Sequence, residues 1–419
     1  MDNPRNTAIV GVCALITLSI FLIPSQKCCA REFIESASSV NPLNNSAHQF
    51  DYLENANPLK FKPYLAYMHQ LGYVSGTDQN GRNFEDTTEE IRRFWIGIQG
   101  TFSDYLAFKA VSQITNDRHN YPNENRQFGH QTFRSAYISL QVHEAFNLKI
   151  FDSLTIGYGR RSGRMADEWQ RSATHINTLE RSAFSNKLWL SDSKKGNPLA
   201  AWTKVKKGKH TIDLALFSGT YNDWIGGWSD SLTYYMSWEV DLTSKTGLDK
   251  TDLWWSTYYQ NAQTNEARLA GGNQWATTVV TRLAKGSAEL HTTVAFGDNG
   301  AKPNTNRSGS FCGTVIMPMY WIIPNKHKFV TRIQYQKSSQ KEGIRLNSRY
   351  ARLAEKRDEQ LEINAGRGDS HLSYYIGYNY YINEHNLKIV SGIKWEKLSS
   401  DGKTMYHGYT IGAGIRLLF

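Results

Sequence analysis

The sequence predicts an all-β fold, a transmembrane antiparallel β-barrel of about sixteen strands (possibly eighteen), with long external loops and short periplasmic turns. Two patterns predict it: segments of about ten residues alternate between apolar and polar side chains, and the connections between them alternate in length. Composition agrees, because the mean hydropathy is only -0.53, yet 13% of residues are aromatic. In such a barrel only alternate residues face lipid, while Tyr and Trp form girdles at the two membrane interfaces.

The alternation is clearest at the end of the chain. Counting back from Phe419 in steps of two gives apolar positions such as Ile415, Ile411 and Tyr409, whereas Arg416 lies in the alternate set. A period of two is typical of a strand with different surroundings on its two faces. Further segments of this kind cover 93–102, 106–115, 234–242 and 372–382, with weaker ones at 199–205 and 360–366.

The connections separate a membrane barrel from a soluble sandwich. Tight turns are predicted at 103–104, 285–286 and 383–385. A soluble sandwich has no reason to sort its loops by side, whereas outer-membrane barrels do. Long polar connections are predicted over 74–90, 116–131, 161–198, 298–310 and 338–358.

The N-terminal region reads as an export signal. Arg5, the apolar run 8–23 and the small residues before Ala30 predict a signal peptide over 1–30, an uncleaved anchor being the alternative. A Ser- and Asn-rich periplasmic segment over 31–58 then leads to the barrel domain, 59–419. Three of the four cysteines lie in 1–30, so no internal disulfide, metal cluster or cofactor is expected.

The excess positive charge is concentrated in one region. Of the formal net charge of +10, the window from Arg160 to Lys209 carries +8, with twelve basic and four acidic residues. If the third long loop, 161–198, folds into the lumen, its cations would attract anions and repel cations. Guanidinium groups match the oxygens of phosphate especially well. The predicted pore-lining or anion-binding residues are Arg93, Lys109, Arg160, Arg161, Arg164, Arg171, Arg181, Arg282, Arg332, Lys388, Lys394 and Arg416.

Several segments resemble a known family. L-T-I-G-Y-G-R-R-S-G-R (154–164) followed by T-L-E-R-S-A-F-S-N (178–186) resembles the stretch after the fifth strand of the phosphate-selective porin O and P family, and 378–389 and the final G-I-R-L-L-F are similar to its end. The resemblance implies a sixteen-stranded trimeric porin with an inward third loop and an anion-preferring channel. The family's Pro-Phe-Gly turn is replaced here by Arg161-Ser-Gly-Arg164, and no local motif carries over its phosphate-binding residues.

The function predicted from the sequence is passive diffusion of small anions, such as phosphate, through the outer membrane of a Gram-negative-type bacterium. The expected partners are these anions, membrane lipid, lipopolysaccharide and two further copies of the chain; nucleic acid is not expected. One alternative is a general porin whose basic loop contacts lipopolysaccharide, and another is a structural barrel without transport. A sugar channel is a further alternative, with a stacking path along Trp95, Trp254, Tyr258, Tyr375 and Tyr381.

An enzyme is not expected. Hydrolases on such barrels need a nucleophile with a histidine held beside it. Neither G-x-S-x-G nor H-E-x-x-H occurs, and the twelve histidines are scattered along the chain.

Overall fold

A computed structural model shows a closed barrel of sixteen antiparallel strands, each paired with its neighbours in the ring. This confirms the predicted fold class and strand number. The predicted signal peptide (1–30) and lead-in segment (31–58) lie outside the described residues. The structure describes residues 59–103, 105–116, 127–190, 196–219, 228, 231–261, 269, 272–346 and 349–419.

The strands of the barrel are long and joined by loops that contain short helices. The barrel strands are β1 (Leu59–Asp78), β2 (Asn83–Phe102), β3 (Leu106–Asn116), β4 (Gln127–Gln141), β5 (Ser153–Arg160), β6 (Leu199–Lys207), β7 (His210–Ser218), β8 (Leu232–Asp241), β9 (Lys250–Gln260), β10 (Trp275–Lys285), β11 (Ala288–Asp298), β12 (Ser310–Ile323), β13 (His327–Ser338), β16 (Ser370–Asn383), β17 (Leu387–Ser400) and β18 (Lys403–Leu418). The two-residue strands β14 (Ile344–Arg345) and β15 (Arg367–Gly368) pair with each other outside the barrel sheet.

The described helices all lie in connections. They are α1 (Val142–Ala145), α2 (Asp167–Gln170), α3 (Ala183–Lys187), α4 (Thr243–Thr246) and α5 (Arg349–Arg357), with 3-10 turns at Thr305–Arg307 and Asn364–Gly366. None of these helices has the length and apolar character needed to cross a membrane.

The two faces of the barrel wall have opposite character. In β18 the side chains of Tyr409, Ile411 and Ile415 are 40–44% exposed, whereas Thr410 and Arg416 are 3% and 2% exposed. Large apolar side chains therefore face outward and polar ones face inward, the reverse of a soluble barrel. An exposed apolar belt of this kind is stable when hydrocarbon surrounds it, so the architecture is that of a transmembrane barrel.

The ends of the chain close the ring. Strand β1 pairs with β18 from Ala66 opposite Leu418 to Asp78 opposite Tyr406. The backbone of Phe419 exchanges two hydrogen bonds with Leu65, of 2.8 and 3.2 Å. Because every strand then has two neighbours, the sheet has no free edge.

The predicted long loop at 74–90 is wrong. Strands β1 and β2 are each 20 residues long, and only 79–82 connect them. Val74 and Phe84 point inward and belong to a buried cluster. The polar residues between them suggested a loop, but they extend the ribbon beyond the apolar belt.

The predicted strand at 360–366 is also wrong, whereas that at 199–205 lies within β6. Leu361 and Ile363, which suggested the alternation, are buried against helix α5 instead. They belong to the connection between β13 and β16, which runs over 339–369 and is longer than predicted.

Two chain segments fill much of the interior. The first is the inward loop (161–198, described except for 191–195), whose Met165, Phe184 and Leu188 pack with wall residues in a buried cluster. The second contains helix α5, whose Tyr350 and Ala351 pack in a separate cluster. The lumen is therefore shaped by these two segments as well as by the wall.

Candidate functional site

The inward loop is fixed to the inner wall soon after it leaves β5. The carbonyl oxygen of Arg164 accepts hydrogen bonds from the hydroxyls of Tyr235 on β8 (3.1 Å) and Ser256 on β9 (3.2 Å). The hydroxyl of Thr278 on β10 donates to the carbonyl of Met165 (2.8 Å). These wall side chains face inward, so this part of the loop lies inside the barrel.

Helix α2 of the loop carries two buried acids that pair with wall residues. Asp167 accepts from Arg282 on β10 (2.5 Å) and contacts His291 on β11 (3.1 Å). Glu168 pairs with Arg332 on β13 at 2.6 Å. Burial alone would raise the pKa of Asp167, but the charges of Arg282 and His291 lower it well below its usual value. Arg282 and Arg332 thus neutralise the loop's own acids.

Beyond α2, two wall cations bind loop carbonyl groups. Arg416 on β18 donates to the carbonyl oxygens of Ile176 (2.8 Å), Thr178 (2.7 Å) and Leu179 (2.8 Å). Lys388 on β17 donates to the carbonyl of Ile176 (3.0 Å). Both cations are fully or almost fully buried. Their donors satisfy loop backbone groups that would otherwise lack partners.

Glu180 attaches the next part of the loop to the other side of the barrel seam. It forms a two-point pair with Arg92 on β2, at 2.5 and 3.2 Å, and accepts from the Gln70 amide on β1 (2.9 Å). Burial would raise the pKa of Glu180, but the charge and hydrogen bonds of Arg92 overcome that and lower it. Contacts between the inward loop and the wall therefore extend from β8 around the barrel to β2.

Of two predicted residues in the loop, Arg181 contacts the loop itself and Arg171 contacts the wall. Arg181 lies 3.8 Å from the ring centre of Trp169 and donates to the carbonyls of Glu168 (2.6 Å) and Arg171 (3.0 Å). Burial lowers the pKa of Arg181 to about 9. The side chain of Arg171 reaches the ring of His291 (3.4 Å). Arg181 thus stabilises the loop itself.

Lys187 holds helix α3 and is not among the pore-lining residues predicted from the sequence. Its ammonium group donates to the side-chain oxygens of Asn299 (2.7 Å) and Asn273 (3.0 Å) and to the carbonyl of Gly343 (3.0 Å). It also lies 4.1 Å from the ring centre of Phe311. Burial lowers the pKa of Lys187 well below its usual value.

Arg160 and Arg161, where β5 ends and the loop begins, also have partners. Arg160 donates to the carbonyl of Asn197 (2.9 Å). Arg161 pairs with Asp213 on β7 at 2.6 Å. Both side chains therefore tie the two ends of the loop to the neighbouring wall.

Arg93 and Lys394 are wall residues that form no hydrogen bond with the described part of the inward loop, although Arg93 lies near Glu180. Arg93 has its guanidinium 3.9 Å from the sulfur of Met68 and 5.6 Å from the ring centre of Trp95. Lys394 pairs with Glu396 two residues along the same strand at 2.8 Å. The charge of Lys394 is thus compensated locally.

The wall formed by β3 to β6 presents a different arrangement. The guanidinium of Arg164 has no hydrogen bond or ion pair to any described residue. It is close enough to repel the ammonium groups of Lys109 on β3 and Lys204 on β6. Lys109 lies over the ring of Tyr64 at 4.7 Å. None of these three cations forms an ion pair with a described acid, although Lys204 lies opposite Asp213 of β7 and is also attracted by Glu239.

Arg134 on β4 joins this group. Its guanidinium lies 5.1 Å from the ring centre of Trp95 and 5.6 Å from that of Trp189 in the loop. No ion pair to a described acid holds it. Aromatic faces attract a guanidinium without neutralising its charge.

Two sets of basic residues can therefore be defined. The clamp set, whose donors bind the inward loop, consists of Arg92, Arg282, Arg332, Lys388 and Arg416. The open-side set, without an ion pair among the described residues, consists of Lys109, Arg134, Arg164 and Lys204.

Arg92 and Arg134 were missed because both lie at bulges. The register skips Arg92 between Arg93 and Ile91, and it skips Arg134 between Ser135 and Phe133. An extra residue in one strand interrupts the two-residue alternation. Beyond a bulge, the two-residue alternation therefore no longer indicates which face a residue occupies.

The five inward aromatic residues proposed as a sugar path are all buried. The hydroxyl of Tyr375 accepts from the backbone amide of Leu179 (3.3 Å), and Trp254 lies 4.2 Å from Arg282. These rings fill space beside the loop and support its anchors. The five are Trp95, Trp254, Tyr258, Tyr375 and Tyr381.

Comparison with known proteins places the fold. No protein-family model matches the sequence, and no curated protein matches it. The outer membrane channel DcaP of Acinetobacter baumannii has a similar structure, with 11% identity, coverage of 86% of this chain and 97% of that chain, and a TM-score of 0.50. OprB of Pseudomonas putida, solved at high pH, is similar with 11% identity, coverage of 86% and 94%, and a TM-score of 0.53. At these identities the likeness shows the fold of bacterial outer-membrane barrels.

Proposed function

We propose that this protein is an outer-membrane porin that conducts small anions by passive diffusion, with phosphate and other oxyanions among its solutes. The observation that carries the proposal is the open-side set, four inward cations that form no ion pair with an acid among the described residues. Cations on a narrow, low-dielectric wall raise the local concentration of anions. In this proposal, the inward loop and the β3–β6 wall form the constriction.

The preference for oxyanions rests on the two arginines of this set. Arg134 and Arg164 present planar guanidinium groups, which can donate two parallel hydrogen bonds to one oxyanion. Contact of Arg134 with both Trp95 and Trp189 restricts the movement of its guanidinium group. A side chain that is already restricted loses less entropy when it binds an anion.

The fold supports the location and the transport class. The apolar belt fits the outer membrane, and the fold is shared with DcaP, which is described as an outer membrane channel. We include a homotrimer in the proposal, together with contacts between the outer basic residues and lipopolysaccharide. Lys194 and Lys195 of the basic window lie outside the described residues.

The reversal potential of the purified protein in a planar bilayer under a KCl gradient, with and without phosphate, tests the proposal. Wild type should favour chloride over potassium, and phosphate should reduce the chloride current. Replacing Arg160, Arg161 and Arg164 by Ala should weaken the anion preference, with Arg164→Ala alone giving most of the effect because the other two already have partners.

The matched control for Arg164→Ala is Lys245→Ala, which also removes one positive charge, from an exposed position in helix α4. An unchanged permeability ratio in the triple variant would remove these residues from the pore. A wild-type channel without ion preference would instead favour a general porin whose basic loop contacts lipopolysaccharide. No conductance at all would favour a structural barrel.

A further inference from the structure

Helix α5 lies inside the long-loop end of the barrel. Its buried residues Tyr350 and Ala354 pack with Val74 on β1, Phe84 on β2 and Leu398 on β17. Each of these wall residues is buried beside a more exposed neighbour in its strand, as expected for the inner face. The helix therefore occupies lumen space along the β1–β2 and β17–β18 side.

A row of glycines makes room for both inward segments. Gly72 on β1 pairs with Gly412 on β18, which pairs with Gly392 on β17. A Cβ atom on Gly72 would come within 2.1 Å of the ring of Tyr350, and one on Gly412 within 2.3 Å of Leu179. Two adjacent positions of the wall thus each receive one side chain, one from α5 and one from the inward loop.

The same two segments meet at one wall amide. The Nε2 of Gln70 lies within hydrogen-bond distance of Glu180 (2.9 Å), Tyr350 (2.9 Å) and Glu90 (2.7 Å). Glu90 also pairs with Arg349, the first residue of α5. Because an amide group has only two hydrogens for these three acceptors, the position of α5 affects how Gln70 binds the inward loop.

The far end of the helix is also attached to the wall. Arg357 donates to both carboxylate oxygens of Asp86 on β2, each at 2.7 Å. Asp358 pairs with Arg82 in the β1–β2 turn at 2.8 Å. Attachment at both ends and burial of one face hold the helix in place at the long-loop end of the barrel.

We infer that helix α5 forms a second constriction, which limits the size of solutes, while the open-side cations determine the preference for charge. This inference rests on the proposed channel function. The helix packs on β1, β2, β17 and β18, whereas the open-side residues lie on β3, β4, β6 and the inward loop. Displacing the helix therefore widens the passage without removing any open-side cation.

The test compares wild type in planar bilayers with two variants that disturb the packing of α5, called the α5 variants below. Tyr350→Ala/Leu353→Ala removes two buried side chains of the helix, and Gly72→Ala pushes Tyr350 from its place while leaving the helix sequence intact. The control is Glu359→Ala/Gln360→Ala, which changes two exposed residues just after the helix. A heat-dependent shift in electrophoretic mobility identifies folded protein for every variant.

Both α5 variants should raise single-channel conductance in KCl by roughly 1.5-fold or more, because conductance follows the open cross-section. Liposomes containing them should admit larger neutral polyethylene glycols than wild type. The chloride-to-potassium ratio should not change. Folded variants with the conductance and the size limit of wild type would overturn the inference.

The outcomes separate this inference from the proposed function. A wild-type channel without anion preference that still widens in the α5 variants would overturn the anion proposal and keep the second constriction. An anion-selective channel that does not widen would overturn the second constriction alone. If Tyr350→Ala/Leu353→Ala does not fold, Gly72→Ala decides, since it removes no buried side chain.

Discussion

The clamp side and the open side of the lumen carry the same kinds of basic side chain in different surroundings. On the clamp side, Arg332 donates a hydrogen bond to Glu168, and Arg416 donates to loop carbonyl groups. Both arginines are buried. On the open side, Arg164 and Lys109 meet no acid among the described residues. A count of inward arginines and lysines therefore overstates the number that can attract a solute.

The largest effect is expected from breaking the clamp. Glu168→Gln keeps the shape of the side chain but leaves Arg332 buried without its counter-charge, which should destabilise loop docking by about 3–5 kcal/mol. Limited proteolysis should cut the inward loop much faster than in wild type, and conductance should rise. Glu359→Gln, at an exposed position, is the control. Wild-type cleavage and conductance in Glu168→Gln would show that the pair does not hold the loop.

A second effect sharpens the contrast between the two sides. Lys109→Ala/Arg164→Ala should lower the chloride-to-potassium ratio roughly fivefold, if each charge contributes about 0.5 kcal/mol to the difference in free energy between an anion and a cation. Lys388→Met removes a fully buried side chain, which donates to a loop carbonyl and which a solute does not reach, so the ratio should change much less. Reversal potentials measure the chloride-to-potassium ratio of both variants. An equal loss per charge on the two sides would mean that the clamp cations also act on the solute.

The third effect depends on pH. Burial, with the charges of Lys388 and Arg171, lowers the pKa of His175 in the inward loop to about 3. Because the ring stays neutral when docked but takes up a proton below about pH 6.5 when released, docking weakens as pH falls from 6.5. At pH 5 the loss should be about 1 kcal/mol for this partly exposed ring.

Below about pH 4 the loss should become steeper. The lowered pKa values of Asp167 and Glu180 mean that the docked carboxylates stay ionised while the released ones take up protons, so their contribution disappears as pH falls. Hydrogen exchange of the loop, corrected for the intrinsic rate, measures both parts. His175→Gln should reduce the change between pH 6.5 and 4.5 and leave the part below pH 4; if the variant keeps the whole change, another group is responsible, such as His385, whose ring stacks on that of His175.

The smallest effect is expected at the outer rim. Lys341 and Asp401 form an ion pair at 2.5 Å, with side chains 57% and 65% exposed. Exposed pairs of this kind contribute little, because water and salt screen them. Lys341→Ala should leave thermal stability, conductance and selectivity unchanged. A change in selectivity would extend the charged path from the constriction to the rim.

Much of the fold could be predicted from the sequence because strand alternation is a local property. The interpretation failed at 74–90, where the ribbon of β1 and β2 continues beyond the apolar belt. It failed at 360–366, where buried Leu361 and Ile363 mimic a strand. In both places tertiary packing, which a local pattern does not contain, determined the structure.

The candidate site was less predictable because it depends on distant partners. The basic character of 161–198 is visible in the sequence, but Arg332 and Glu168 are 164 residues apart and Arg416 is 240 residues from Ile176. Nothing in the local sequence shows that these cations are already bound. Arg92 and Arg134 were not predicted because each lies at a bulge, where an extra residue interrupts the alternation.

The bonds from Arg416 to the inward loop also have a consequence for the order of assembly. The last strand supplies donors for Ile176, Thr178 and Leu179, and the same strand closes the ring against β1. The loop therefore cannot complete its docking until the final strand has arrived. Contacts so distant along the chain form slowly, so the pore should acquire its final shape in the last step of folding, together with barrel closure.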